Sequence, residues 1–237
     1  MIVEPKVKLV ASTKVYYENG TVNGLMETDP DATDAENLIE AAGRVCYNSE
    51  HKPNPQTAKN ANYIRRTCFE QQHGSVMEHA TATVSIEGVS RAWLAEATRH
   101  RPFSFSVRSQ RFVNEQDMGI VLPPAIREHG GEGHLEQVAA DLVGDYTHLV
   151  DYLSNAGLPR KQAREAARAV LPNMTETKLY MSGNRRAWVQ FLERRLDPSA
   201  DAEMRRVAGL ILAALRPVSP VVFGEVKCFG VETDTGV

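Results

Sequence analysis

Alternation of apolar and polar residues predicts the strands of this 237-residue chain, and longer periodic stretches predict its helices. The predicted strands cover 6–12, 80–87, 175–182 and a closing segment at 221–231. The predicted helices cover 34–42, 57–72, 90–101, 135–153, 159–170, 184–196 and 199–215. Strands and helices follow one another irregularly, so we expect a mixed α+β chain with more helix than sheet.

Capping residues and prolines set several of the expected boundaries. Ser90 is a candidate N-cap, and Pro102 predicts that the helix ends at Arg101, since proline disfavours helical geometry in the residue before it. Arg99, His100 and Arg101 would then complement the helix dipole from its last turn. His129–His134 is predicted to be a flexible loop.

Composition excludes several classes of protein. No run of about 18 apolar residues is present, so no membrane span is expected, and the first residues do not resemble a secretion signal. The three cysteines form no CxxC pair, which indicates a reducing cytoplasm without disulfides or a zinc knuckle. Without repeats or a long linker, residues 1–237 are interpreted as a single domain. The net charge of −3 argues against a nucleic-acid or anionic membrane surface.

The average charge conceals three basic segments. Residues 99–111, 160–168 and 185–195 carry +4, +3 and +3, which leaves −13 for the rest of the chain. Local concentrations of this kind suit small phosphorylated ligands, whereas an extended nucleic acid needs a broad basic surface.

The first segment, Arg99–Phe112, has four arginines and no acid. After Pro102, apolar residues alternate with serines and Arg108, as in an extended chain with one face suited to an anion. The alternative is a solvated surface strand.

The second segment places Arg160, Arg164 and Arg168 along one side of a helix, with only Glu165 to offset them. Its packing side is predicted to be Ala163, Ala166, Ala167 and Val170. Either acids from elsewhere in the fold or a bound phosphate must balance this charge.

The third segment places Arg195 on the same side of its helix as Trp188, facing the interior, while Arg194 points away. An inward arginine requires an anion or several acceptors. The structural alternative is a salt bridge to Asp201 or Glu203.

Familiar catalytic motifs are missing. The chain has no GxGxxG, no GxxxxGK[ST], no HExxH and no GxSxG. His73 and His79 are six residues apart and would not share a helix face as zinc ligands, so no metal site is predicted.

The motif RHR–x7–S, from Arg99 to Ser109 with Arg111 following, resembles the signature of flavin-dependent thymidylate synthases. The actinobacterial branch is the most similar. Further blocks that resemble this family lie at 41–66, 73–80, 160–177 and 182–188, so the similarity covers nearly the whole chain.

This resemblance implies reductive methylation of dUMP to dTMP. Methylenetetrahydrofolate would supply the carbon, and FAD reduced by NADPH would supply the hydride. The implied subunit has an antiparallel sheet with helices and assembles as a homotetramer with active sites at subunit interfaces. No nucleic-acid or membrane partner is implied.

The resemblance also assigns residues by position. The flavin contacts would be Ser75, Glu78, His79, Arg99, His100, Arg101, Val107, Asn184, Arg186 and Gln190. The dUMP contacts would be Arg91, Glu96, Arg99, Ser109, Gln110, Arg111, Lys161, Arg168 and Arg195. Arg195 would lie against the uracil ring and stabilise its developing negative charge, because an arginine is always protonated.

Two of these positions depart from the family pattern. Val107 stands where Glu or Gln is usual, so only its backbone can form a hydrogen bond, and Gln190 stands where the actinobacterial branch has His. None of the cysteines lies in a cationic loop that would activate a thiolate, and Ser109 has no adjacent base. The alternatives are a catalytically impaired flavin-binding homologue and a single-strand nucleic-acid-binding module that stacks bases on the phenylalanines.

Overall fold

A computed structural model describes residues 1–227 and shows helices and strands mixed along the chain, which confirms the α+β class. The helices are α1 (Asp34–Val45), α2 (Asn60–Ile64), α3 (Arg91–Ala97), α4 (Pro124–His129), α5 (Glu132–Asn155), α6 (Arg160–Ala167), α7 (Arg185–Arg195), α8 (Ala202–Leu215) and α9 (Pro220–Gly224). The strands are β1 (Ile2–Val3), β2 (Lys6–Ser12), β3 (Tyr17–Glu18), β4 (Thr21–Val22), β5 (Met26–Glu27), β6 (Thr81–Ser90), β7 (Ser104–Val107), β8 (Ile120–Val121) and β9 (Glu176–Asn184).

Three sheets are formed from these strands. The largest has the order β2-β6-β9-β7, and β3-β4-β5 form a small antiparallel sheet. Asn19-Gly20 and Asn23-Gly24 connect the small sheet with positive φ at both central residues, as a type I′ turn requires. The third sheet, β1 with β8, is a parallel pair and departs from the expected antiparallel pattern.

The chain forms two compact units. The first unit comprises Met1–Lys6, Ile86–Arg99 and Phe105–Tyr180. One of its apolar clusters contains Met118, Ile120 and Ala139, on which Ile2, Val143, Leu171 and Met174 pack. In this unit the backbone at Glu4 runs so close to Gly88 that a side chain at position 88 would collide with it, and Gly88 has a φ of +68°.

The second unit comprises Val7–Ser85, His100–Ser104 and the chain from Met181. Its core contains the fully buried Trp188 and Phe191 of α7, with Val207, Ile211 and Leu212 of α8. Thr33 caps α1 in a capping box with Glu36, and Asn184 caps α7.

The helix after Ser90 is shorter than predicted. Ser90 is its N-cap, with Oγ accepting a hydrogen bond from the Trp93 amide at 2.9 Å. The helix ends at Ala97, where the Arg99 amide donates to the Glu96 carbonyl three residues back and the chain tightens into a turn; the Thr98 hydroxyl donates to the carbonyls of Leu94 and Ala95. The prediction that residues 99–101 form a last helical turn is therefore wrong.

Other boundaries also differ from the sequence-based predictions. The helical stretch predicted at 57–72 begins at Asn60 and continues as a π-helical turn, Arg65–Glu70. The loop predicted at 129–134 ends at Gly131, because Glu132 already begins α5. Residues 220–224 form α9 where a strand was predicted, with Pro220 at the first helical position; residues 228–231 of that prediction lie outside the described residues.

Candidate active site

The first unit contains a cluster of arginines, some of which were predicted to bind the nucleotide. Arg91, at the start of α3, is half-buried and donates to Thr177 Oγ1 at 3.4 Å. Burial lowers the pKa of its guanidinium, Glu115 raises it, and the positive charges of Arg168 and Arg108 lower it further. The guanidiniums of Arg168 and Arg108 therefore lie near enough to repel that of Arg91, which favours an anion beside Arg91.

Glu115 is the buried counter-charge of this cluster. Its side chain is 2% exposed and lies 3.4 Å from Arg108 Nη2. The pKa of the Glu115 carboxyl is raised, chiefly by burial. The positive charges of Arg108 and Arg91 lower it in part, and the negative charge of Glu176 raises it further. Arg108 also donates to the Glu176 carboxylate at 3.3 Å and the Glu176 carbonyl at 2.5 Å.

Ser109 begins a tight turn that brings the end of the motif onto α6. Its Oγ accepts from the Arg111 amide at 3.3 Å, and its carbonyl accepts from Val113 at 3.0 Å. Arg111 Nε lies 2.6 Å from Glu165 of α6, with both side chains more than 40% exposed. The hydroxyl has no base beside it within this turn, consistent with a binding role.

Two cations of α6 contact Phe112, which follows Arg111 in the motif segment. Arg164 donates to the Phe112 carbonyl at 2.7 Å, and Lys161 Nζ lies 4.7 Å above the Phe112 ring. Glu165, the helix's own acid, is engaged by Arg111. Ala163 and Ala167 are buried as predicted, whereas Ala166 is exposed. Arg168 follows the helix as its C-cap.

In the second unit, the start of α7 gathers several predicted flavin residues. Asn184 Oδ1 accepts from the Ala187 amide at 2.8 Å, which fixes the first turn. Arg186 donates to Glu78 at 2.6 Å, and its side chain lies beside Gly74, where a Cβ would be 3.3 Å from Arg186 Nε. Ser75 is exposed in the 3-10 turn Gly74–Glu78, and Gln190 is exposed one turn along α7.

The other end of α7 carries Arg195. Arg195 is half-buried and Arg194 exposed, so the predicted inward orientation is confirmed. Its Nε donates to His100 Nε2 at 2.8 Å. This hydrogen bond to His100 was predicted neither by the functional interpretation of Arg195 nor by the structural alternative of a salt bridge.

The loop that holds His100 is fixed on α7 by aromatic packing. His100 meets Phe191 edge to face with ring centroids 4.8 Å apart, and Phe103 meets Trp188 in the same way at 4.6 Å. Phe103 also lies over Gly183, where a Cβ would be only 2.5 Å from its ring. Glycine at position 183 is therefore required by this packing.

The remaining predicted residues are placed along both units. Arg99, Arg101 and His79 are exposed, Glu96 and Val107 are half-buried, and Gln110 is buried. Val107 lies in β7, next to Arg108, whose amide donates to the Lys178 carbonyl at 2.9 Å.

Sequence reasoning missed the importance of Arg185 and Glu115. Arg185 is fully buried between two residues assigned to the flavin, and it donates to Ser219 Oγ and Ser12 Oγ, each at 2.8 Å. Burial lowers the pKa of its guanidinium to about 10, while Glu36 raises it. Nothing in the pattern of polar and apolar residues around Arg185 marks it as buried. The Arg108–Glu115 pair follows no helical or strand periodicity. Neither feature could therefore be found from residue spacing.

Metal binding and thiol chemistry both depend on how the His, Cys, Asp and Glu side chains of residues 1–227 are placed. No group of three His, Cys, Asp or Glu side chains there could hold a metal ion. Cys46 is exposed, and burial raises the pKa of the Cys68 thiol to about 12, which disfavours its reactive thiolate form. Within the same range no helix is both long and apolar enough to cross a membrane.

Comparison with known proteins identifies the family. Residues 30–221 match the family model described as thymidylate synthase complementing protein. The flavin-dependent thymidylate synthase of Corynebacterium aurimucosum is 44% identical over 94% of this chain and 91% of its own length. The chain belongs to the flavin-dependent thymidylate synthase family. The Mycobacteroides abscessus member is 46% identical, over 84% of this chain and 81% of its own.

Solved structures agree with this family at the level of the fold. The Helicobacter pylori thymidylate synthase X, complexed with FAD and dUMP, has a TM-score of 0.67 at 21% identity, covering 93% of this chain and 99% of its own. A UMP/dUMP methylase from Streptomyces cacaoi, bound with 5-Br dUMP, has a TM-score of 0.71 at 22% identity, covering 94% of each chain. The members of this family are methyltransferase-type enzymes, and the chain is therefore an enzyme of this type.

Proposed function

We propose that this chain converts dUMP to dTMP by reductive methylation, with methylenetetrahydrofolate as carbon donor and NADPH-reduced FAD as hydride source. Membership of the flavin-dependent thymidylate synthase family is the observation that carries the proposal. FAD, when bound, supplies redox chemistry that none of the chain's own side chains provides.

The basic cluster of the first unit would bind the nucleotide phosphate. Arg91 and Arg168 of this cluster would supply guanidiniums, and Arg111, Ser109 and Gln110 of the motif segment would add further polar groups. Guanidiniums bind phosphate oxygens through paired hydrogen bonds, and mutual repulsion of Arg91 and Arg168 would be relieved by an anion. Lys161 would add a further cation, and Arg99 and Glu96 complete the nucleotide assignment.

The residues at the start of α7 suit a flavin nucleotide. Arg186 presents a guanidinium beside the capped first turn of an eleven-residue helix, where anions are favoured. Exposed Ser75 and Gln190 add hydrogen-bonding groups, and Asn184, Glu78, His79, Arg99, His100, Arg101 and Val107 complete the flavin assignment. This donor set fits a diphosphate-bearing cofactor.

Arg195 would act at the uracil ring. Its guanidinium remains charged throughout, so it would stabilise negative charge that develops on the ring when the C5 proton is lost. A fixed hydrogen bond from Nε limits the orientations of the guanidinium, which reduces reorganisation during the reaction.

Assembly and location form part of the proposal. The family resemblance implies a homotetramer with active sites completed by neighbouring subunits. Sparse cysteines, one buried and one exposed among residues 1–227, are compatible with a reducing cytoplasm.

Purified protein tests the proposal directly. It should be yellow and should release tritium from 5-tritiated dUMP in the presence of methylenetetrahydrofolate and NADPH, with UMP run in parallel. Arg195→Ala should abolish turnover, whereas Arg194→Ala, on the exposed side of the same helix, should remain active. Ser109→Ala should raise the dUMP dissociation constant more than it lowers kcat.

Two outcomes would refute the proposed function, and a third would refute only the role of Arg195. Flavin binding without tritium release would indicate the impaired homologue. A colourless protein with steeply salt-dependent single-strand binding would indicate the nucleic-acid module. Normal turnover of Arg195→Ala would remove the assigned role of this arginine.

A further inference from the structure

The hydrogen bond between Arg195 and His100 constrains the protonation of the histidine. A guanidinium carries only donors, so at 2.8 Å the His100 Nε2 must be the acceptor. His100 is then neutral, with its proton on Nδ1. The family resemblance assigns His100 to the flavin and says nothing of this contact.

The surroundings of His100 hold its ring in this orientation. The ring meets Phe191 with centroids 4.8 Å apart and planes at 67°. Three residues later Phe103 packs on both Trp188 and Phe191, which anchors the loop to the same helix that carries Arg195. The His100 Nε2 acceptor is therefore held in a fixed position relative to the Arg195 guanidinium that donates to it.

We propose that neutral His100 is a positioning residue that sets the plane of the Arg195 guanidinium. The proposal rests on the proposed function, in which Arg195 stabilises charge on the uracil ring. Protonation of His100 at Nε2 would remove the acceptor and place two cations side by side. The Arg195 guanidinium opposes that protonation, because two cations would then lie within hydrogen-bond distance of each other.

Two substitutions separate the acceptor from the ring. His100→Phe keeps an aromatic edge against Phe191 and removes the acceptor, while His100→Gln keeps an acceptor oxygen near the Nε2 position and removes the ring. We expect kcat to fall about 10- to 100-fold in His100→Phe, the usual effect of losing a hydrogen bond to a charged group, and to be largely restored in His100→Gln. The FAD dissociation constant of each variant, measured by flavin absorbance titration, shows whether a flavin contact has also been lost, and kcat is then compared at saturating FAD.

The pH profile adds a measurement that a purely structural role would not change. The wild type should lose kcat at acid pH as His100 protonates, and His100→Gln, which cannot protonate there, should lack that limb. Equal losses in both variants, or the same acid limb in His100→Gln, would overturn the proposal.

A measurement without turnover keeps this proposal separate from the proposed function. In ¹⁵N-histidine-labelled protein, with the His100 signal identified by its loss in His100→Gln, the Nδ1-protonated tautomer is expected. Arg195→Ala should shift that signal toward the Nε2-protonated form. An unchanged tautomer would refute the positioning contact even if the enzyme is active, whereas the expected shift without tritium release would place the failure in the proposed function alone.

Discussion

The buried guanidinium of Arg185 should cost the protein stability. Arg185 is completely buried, and its Nη1 has no hydrogen-bond partner among residues 1–227. The direct partners of the other nitrogens are two serine hydroxyls and, at 3.5 Å, the Val218 carbonyl. Neutral groups of this kind compensate a buried charge incompletely.

The pKa of Arg185 sets the size of this cost. Burial lowers the pKa from the ordinary value of an arginine to about 10, a shift that corresponds to about 3 kcal/mol against the charged form. Arg185→Met would remove this cost and lose two serine hydrogen bonds, each contributing about 1 kcal/mol net. Ser219 Oγ retains a partner, since it donates to the Val218 carbonyl at 2.5 Å. We therefore expect Arg185→Met to raise the free energy of unfolding by about 1 kcal/mol.

Urea denaturation at neutral pH and fixed protein concentration measures this change. Neutral pH is appropriate because the guanidinium is protonated there in both the folded and the unfolded state. Stability would rise with pH only above about pH 10, where the folded form loses its proton before the unfolded form does. Arg194→Met, on the exposed side of α7, is the matched control and should change stability by less than about 0.5 kcal/mol. A loss of about 1 kcal/mol or more in a folded Arg185→Met variant would refute the reasoning.

Three further perturbations follow from the same contacts. The raised pKa of Glu115 in the folded state contributes stability that is present below the ordinary pKa of glutamate and is lost as the pH rises through the folded-state pKa. Glu115→Gln should remove this pH dependence from the free energy of unfolding. Identical pH–stability curves for both proteins would contradict this. Gly183→Ala should displace Phe103 and lower the melting temperature, with Gly144→Ala, in open space on α5, as the control; equal melting temperatures would argue against the packing. In native protein a thiol reagent at pH 8 should label Cys46 and leave Cys68 unmodified, as peptide mapping would show; labelling of Cys68 before unfolding would contradict its burial.

Local patterns predicted most secondary structure because they act over a few residues. Strand β6, helix α7 and the Ser90 and Asn184 caps follow from alternation, periodicity and capping chemistry. The end of α3 was missed because the chain tightens into a turn at Thr98, four residues before Pro102. Pro220 was available as a signal for α9, yet the apolar residues after it resembled a strand.

The candidate site was predictable where it depends on helix periodicity and on family motifs. The inward placement of Arg195 follows from its spacing to Trp188. Its contact with His100, ninety-five residues away in sequence, depends on how the loop packs on α7 and has no local signal. The same is true of Glu115, whose pairing with Arg108 depends on a turn rather than on a repeat.

Tritium release from 5-tritiated dUMP, measured together with dTMP formation, tests the central claim most directly. With FAD, NADPH and methylenetetrahydrofolate present, the wild type should release tritium in step with dTMP, Arg194→Ala should do the same, and Arg195→Ala should release none. Wild-type protein that binds FAD and dUMP yet releases no tritium and forms no dTMP would contradict the account.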